Sequence, residues 1–300
     1  MPRRTLAVDD DHDVLATLRR TRFAPPDPSA RLVGETYWRA TRTPDGPATL
    51  AIAATPGSVE AESWGEGADW ALERLPGLIG ALDEPPSWES LPEPLRSLEK
   101  RVGGVRVPRT ASLFEALVPT VLAQKVTGKE AKLGYLELAR ALAEPAPGPG
   151  PADLILPPAP ERIARMGYED FHRFGIERKR AIVLLELARR HRRVEEATER
   201  TLDAARQRLL AFRGIGPWTV EHVAFVALGD PDAVTPGDYN LPSYVAWNMV
   251  RERTADDARM FELLEPYRGQ RGRIVLWLQI GGRKPPRRGP RSPIRNFKRY

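Results

Sequence analysis

The stretch Leu209–Asn240, LLAFRGIGPWTVEHVAFVALGDPDAVTPGDYN, decides how the rest of the chain is read. It begins in a helix, turns through Gly214-Ile215-Gly216 and enters a second helix at Pro217. Proline is tolerated in a first helical turn, where its missing N–H had no partner to lose. Two glycines permit positive φ and a close backbone approach. The second helix is predicted to run to about Leu228, where Asp230-Pro231-Asp232 breaks it. The loop that follows delivers Asp238 just before the next helix. Amides at a helix N-terminus have no partner within the helix, so an anion can bind there without a side chain. The segment reads as a phosphate grip followed by one placed carboxylate. A plainer reading fits the same residues: a helix–turn–helix corner with Asp238 as a helix cap.

Working outward, 300 residues of which 41% are hydrophobic suit two or three small domains with sizeable cores. No apolar run approaches the roughly 18 residues that a membrane span needs. The opening MPRRTLAVDDDHD has acids where a signal peptide needs an apolar stretch, so a cytoplasmic protein is expected. With no cysteine, disulfides, zinc–thiolate sites and cysteine-ligated iron–sulfur clusters are excluded. The net charge of +6 is uneven: Arg283–Tyr300 holds eight Lys/Arg and no acid, which leaves −2 on the remainder. That Pro-rich tail is either a non-specific arm on nucleic-acid phosphates or a solubilising extension.

Residues 1–88 read as a mixed α/β unit. Strands are predicted at Thr5–Val8, Leu32–Trp38, Leu50–Ala53 and Val59–Ser63, with a turn over Thr43–Pro47. A helix is predicted over Asp69–Leu82, with Pro76 as a point of division. Residues 89–112 form a linker with a short helix. A helix from Ser112 ends near Gln124, and the next carries Ala131, Tyr135, Leu138 and Leu142 on one side. Glu144–Pro160 holds seven prolines and reads as a surface linker or insertion. Further helices are predicted at Glu161–Met166, Arg178–Arg190, Thr201–Phe212, Tyr239–Arg251, Ala255–Glu265 and Arg273–Ile280. Arg178, Lys179 and Arg180 either meet phosphate or form a solvated helix start.

The hairpin and Asp238, with Trp218 and Thr219 between them, resemble the signature of the helix-hairpin-helix DNA glycosylase superfamily. Within it the chain is similar to the 3-methyladenine DNA glycosylase II family. The likeness extends to GETYWRATRT (34–43), LVPTVLAQKVT (117–127), FGIERKRAIVLLELARR (174–190) and RIVLWLQIG (273–281). It implies an α+β fold: an N-terminal antiparallel-sheet domain (1–88), a helical domain holding the hairpin (113–229), a second helical domain carrying Asp238 (89–112 with 230–282) and a flexible basic tail (283–300). It also implies a monomer of base excision repair that acts on double-stranded damaged DNA, away from membranes and nucleoid-associated if bacterial. The expected lesion is an alkylated purine of the 3-methyladenine or 7-methylguanine type. The missing cysteines point away from the adenine-mismatch and endonuclease III-like branches.

A stacked base must be rotated out of the duplex before its glycosidic bond can be reached, at a cost of a few kcal/mol. The anchor implied by the resemblance is the hairpin, with the Gly214 and Gly216 amides on phosphate and Thr219 beside them. No cofactor is implied beyond a monovalent cation, Na+ or K+, at the backbone carbonyls of Phe212 and Gly214. Gln124-Lys125 fall where the family fills the gap left in the duplex, although the family has an apolar wedge where this chain has Lys125. The lysine either reaches a phosphate or the orphaned base, or is simply solvated. Pocket candidates are Trp218, His222, Tyr37, Trp38, Trp277 and Gln279. Trp218 and His222 lie one helical turn apart on one face, and an electron-poor alkylated base stacks well on an indole. The family has tyrosine at the position of His222 and an aromatic near Trp277 and Gln279, of which Gln279 aligns better. Tyr37 and Trp38 are equally strand aromatics that fill a core. The chemistry falls to Asp238, whose carboxylate can stabilise an oxocarbenium-like sugar and orient water. Bifunctional relatives have a Schiff-base lysine at the position of Trp218, so the tryptophan implies a hydrolase without a lyase step. Pro242 is a further departure, at the start of the helix after Asp238. Two other readings stay open: a DNA-binding paralogue without excision, and a glycosylase for a different lesion.

Overall fold

The computed structural model describes residues 1–23 and 26–286, so the part of the basic tail at 287–300 lies outside the described residues. β1 (Arg3–Ala7) and α1 (Val14–Arg19) precede a meander of β2 (Ala30–Val33), β3 (Thr36–Thr43), β4 (Gly46–Thr55) and β5 (Ser58–Trp64). The five strands form one antiparallel sheet in the order β1-β5-β4-β3-β2. The single strand predicted over Leu32–Trp38 is two strands. Gly34, with φ +59°, turns the chain back in a two-residue hairpin between β2 and β3. The helix expected over Asp69–Leu82 is divided at Arg74 into α2 (Ala68–Glu73) and α3 (Leu75–Leu78), with Pro76 in the first turn of α3.

From there the chain is helical. In order come α4 (Leu95–Val102), α5 (Leu113–Leu122), α6 (Gly128–Ala141), α7 (Pro160–Ala164), a 3-10 segment (Tyr168–Phe174), α8 (Arg178–Arg189), α9 (His191–Glu195) and α10 (Leu202–Leu210). They are followed by α11 (Pro217–Val223), which continues as a π-helical turn over Ala224–Leu228, then α12 (Leu241–Val250), α13 (Asp257–Leu264) and α14 (Arg271–Gly281). The architecture is α+β, with nearly half of the chain helical and the sheet confined to the N-terminal part.

Three apolar clusters organise the packing, and their burial is the main favourable term in the fold. Leu18, Tyr37, Ile52 and Ile79 anchor the one between the sheet and α1–α3. Leu117, Phe171, Leu184 and Leu209 anchor the largest, which holds α5, α6, α8, α10 and α11. Leu95, Val245, Leu264 and Trp277 anchor the third, which joins α4 to α12–α14. Val105, Val107 and Leu276, with Ala16 and Phe225 against them, fill the seam between these units.

Strand alternation settles two candidate residues. Successive side chains of a strand point to opposite faces. Tyr37, Arg39 and Thr41 face the helices; Trp38 and Ala40 face the other way. Tyr37 is 1% exposed and donates from its hydroxyl to the Leu18 carbonyl (3.1 Å). Trp38 stacks on Trp64 (centroids 5.7 Å, 22°) and packs with Leu154 and Leu156. The segment read as a surface linker or insertion, Glu144–Pro160, is therefore a strap over the outer face of the sheet. A Pro145–Ile155 bridge closes it. Arg42 holds it down, donating to the Pro157 carbonyl (2.7 Å) and to Glu144 (2.8 Å). Composition marked its irregular backbone and gave no sign of its buried leucines.

Candidate active site

The hairpin is built as the local sequence requires. Thr201 caps α10 through its side chain, and Phe212 and Ile215 are buried beneath the turn. Of the two glycines only Gly214 uses positive φ (+88°), and a Cβ there would meet Val183 Cγ2 at 2.4 Å. Gly216 is extended (φ −110°, ψ 176°), with nothing within 4 Å of where a Cβ would sit. Its lack of a side chain serves nothing within the fold. Among the described residues the Gly214 and Gly216 amides make no hydrogen bond.

Gln124, just past α5, ties itself to this turn. Its side-chain amide donates to the Gly214 carbonyl (3.0 Å) and to Thr219 Oγ1 (2.9 Å). Thr219 is 2% exposed, so it serves this tether. Lys125 follows in the left-handed region (φ 55°), which non-glycine residues rarely adopt. It is held there between the Gln124 tether and the capping box of Thr127 and Glu130 that starts α6, and its side chain is exposed. Arg180 does not face solvent. It is 5% exposed and donates to the Leu122 carbonyl (2.8 Å) at the end of α5, bracing the same corner. The carbonyls of Phe212 and Gly214 already accept hydrogen bonds, from the Ile215 amide (3.1 Å) and from Gln124. A carbonyl oxygen has two lone pairs, so both remain competent oxygen donors to a hard cation.

Asp238 is gripped at both oxygens. The Trp218 indole N–H donates to Oδ2 (3.1 Å), and the amides of Asn240 and Leu241 donate to Oδ1 (2.9 Å each). One carboxylate thus accepts from the start of α12 and from the hairpin's second helix at once. Pro242 sits in the first turn of α12, where proline fits, and does not disturb the helix start. The loop leading to Asp238 is pinned upstream. Asp230 pairs with Arg206, and Asp232 accepts from the Gly269 amide (2.8 Å) and from Arg271 Nε (2.9 Å). Tyr239, next to Asp238, is 95% exposed, an aromatic that the sequence reading did not single out.

A cleft of about 490 Å³ opens beside this arrangement, between the sheet domain and the helices. His222 and Gln279 line it. His222 stacks on Trp218 (centroids 5.5 Å, 24°), so the ring facing the cleft is the imidazole, with the indole behind it. Desolvation in the cleft lowers the His222 pKa, with the Asp238 charge pulling the other way, although the residue keeps an exposed edge. Three pocket candidates belong elsewhere. Tyr37 and Trp38 are committed to the two faces of the sheet. Trp277 is 1% exposed and lies edge-on to Trp88 (6.1 Å), inside the third core. The inner wall holds what the sequence did not reveal: Arg39, paired with Glu115 (2.9 Å), which also accepts from Thr41 (2.7 Å). Residues so far apart in the chain give no local signal. The alternation of β3, which puts Arg39 on the helix face with Tyr37, was the one available hint.

The hairpin, the aspartate after it and the cleft alongside sit on an α+β scaffold whose fold is shared with solved DNA glycosylases. The chain superposes on a 3-methyladenine DNA glycosylase from Archaeoglobus fulgidus with a TM-score of 0.70, covering 93% of this chain and 97% of that one at 21% identity. In sequence it is similar to the DNA-3-methyladenine glycosylase of Bacillus subtilis, 28% identical over 190 residues, or 61% of this chain and 62% of that protein. It is also similar to the probable bifunctional transcriptional activator/DNA repair enzyme AlkA of Mycobacterium tuberculosis, 32% identical over 155 residues, or 49% of this chain and 29% of that protein. The chain thus spans less than two thirds of either relative. No family model matches it.

Proposed function

We propose that the chain is a monofunctional DNA glycosylase that rotates an alkylated purine, of the 3-methyladenine or 7-methylguanine type, out of duplex DNA and hydrolyses its N-glycosidic bond. The observation that carries this is the Trp218 N–H to Asp238 hydrogen bond beside the cleft. It holds a carboxylate, fixed in advance, on the indole that backs His222, whose ring lines the cleft. As the glycosidic bond breaks, positive charge develops on the sugar, and a carboxylate that need not reorganise stabilises it most. An alkylated purine already carries positive charge and leaves without strong acid assistance, so one carboxylate suffices. The His222 ring, backed by Trp218 and disfavoured in its charged form, offers a π face to a cationic base. The Gly214 and Gly216 amides take a backbone phosphate, and Lys125, presented at a taut corner beside them, enters or flanks the gap. A monovalent cation on the Phe212 and Gly214 carbonyls would order the turn; no step of the reaction passes through it. Trp218, with no nucleophilic amine, offers no route to a Schiff base.

The test is a strand-break assay on a methylated duplex. The reading predicts abasic sites that break only after alkali. Breaks formed before alkali would overturn the monofunctional assignment, and no alkali-labile sites would overturn the activity.

A further inference from the structure

The sheet-domain wall of the cleft has a feature that the site above does not use. Arg19 ends α1, Arg20 caps it, and Arg22 follows two residues on; all three line the same cleft as His222 and Gln279. Among the described residues, no ion pair joins any of them to a carboxylate. The nearby acids are already engaged. Glu115 is held by Arg39 and Thr41, and Asp27 accepts from the backbone amides of Ser29 (2.9 Å) and Phe23 (3.3 Å). Arg22 has its Nε buried with no hydrogen-bond partner. Partial desolvation by the cleft, and then the like charges of Arg22 and Arg19, pull the Arg20 pKa below its ordinary value. One guanidinium at a helix C-terminus is easily explained by the helix dipole. Three converging on one cleft repel each other, and Asp27, whose charged form Arg22 favours, makes no ion pair with them.

We propose that Arg19, Arg20 and Arg22 form a second phosphate site, which takes the backbone phosphodiester travelling with the rotated nucleotide. Guanidinium groups match phosphate oxygens in geometry as well as charge. A phosphodiester fits better than the base itself, because a cationic base would be repelled by three free guanidiniums. Once a phosphate neutralises them, the cleft accepts that base. The inference rests on reading the chain as a DNA glycosylase.

The experiment is the salt dependence of binding to a duplex carrying a stable abasic analogue, which presents the rotated nucleotide and requires no excision. Each phosphate left unneutralised lowers the slope of log K against log salt by about 0.9. The double variant Arg19→Gln/Arg20→Gln, at exposed positions, should lower it by about 0.9, for the one phosphodiester, so that affinity falls about 3.5-fold less between 50 and 200 mM salt. Arg22→Gln alone should lower it by about 0.9. Arg192→Gln/Arg193→Gln, at exposed positions on α9, removes the same charge and should leave the slope unchanged. A wild-type slope in the cleft variants, or an equal drop in the α9 control, overturns the proposal. If the wild-type protein binds no duplex at all, the glycosylase reading fails first. Melting temperatures within a few degrees of wild type exclude misfolding as the cause.

Discussion

Alanine at the two hairpin glycines should have opposite consequences, and the geometry says why. At Gly214 the backbone is at φ +88° and the new Cβ would lie 2.4 Å from Val183 Cγ2. The left-handed backbone costs an L-residue about 1–2 kcal/mol, and forcing a methyl into a packed site adds about 1–3 kcal/mol. Gly214→Ala should therefore destabilise by roughly 2–5 kcal/mol, lowering the melting temperature by on the order of 10 °C. Adding Val183→Ala removes the clash, so the pair should be less damaging than the sum of the single changes. At Gly216 the backbone is extended and the space open, so alanine should leave the melting temperature within about 2 °C of wild type. The open space is where a phosphate approaching the amides would lie. Gly216→Ala should then weaken binding to a duplex carrying a stable abasic analogue by at least about tenfold, the scale of one charged hydrogen bond. Circular dichroism melts and fluorescence anisotropy read the two quantities. Full affinity in a well-folded Gly216→Ala would refute the phosphate grip, and an undiminished melting temperature in Gly214→Ala would refute the strained turn.

Trp218→Phe removes the N–H that holds Asp238 and leaves its two backbone amides; single-turnover excision should slow about 10–100-fold, the equivalent of roughly 1.4–3 kcal/mol. Excision of a cationic base should fall as pH drops far enough to protonate His222, below its ordinary pKa of 6.5, and His222→Phe should lose that acid limb in a pH–rate profile. Tyr37→Phe should cost about 1 kcal/mol of stability by removing the bond to the Leu18 carbonyl, with excision kinetics unaltered, because Tyr37 lies in a core. Burial raises the Glu195 pKa to about 7, against the amides of Leu113 and Phe114 that favour its charged form. The folded state thus holds this proton longer than the unfolded chain, and stability falls as pH rises from about 4.5 to 7. Glu195→Gln should flatten that part of a stability–pH curve measured by urea unfolding.

What could be read from the sequence was local. Gly214, Pro217 and Asp238 announce themselves through backbone rules that act over a few residues, and the hairpin and helix order follow from them. Gly34 obeys the same rules, yet the β-branched and aromatic residues on either side disguised its turn as the middle of a strand. Placing the aromatics required knowing what covers each face of a sheet. Alternation separates Tyr37 from Trp38, but only the folded strap shows that Leu154 and Leu156 occupy the second face. Trp277 shares a helix with Gln279, and burial by α4 and its neighbours, not spacing, decides which of them meets the cleft. The Arg39–Glu115 pair and the Gln124–Gly214 tether join distant segments and leave no trace in either one alone.

The most direct test of the account is release of free bases from methylated duplex DNA, followed by chromatography, with wild type and Asp238→Asn side by side. The account predicts 3-methyladenine or 7-methylguanine from the wild type, and none above background from Asp238→Asn at comparable duplex affinity. Release by both would contradict the role given to Asp238; release by neither, with duplex binding intact, would contradict the excision of alkylated purines.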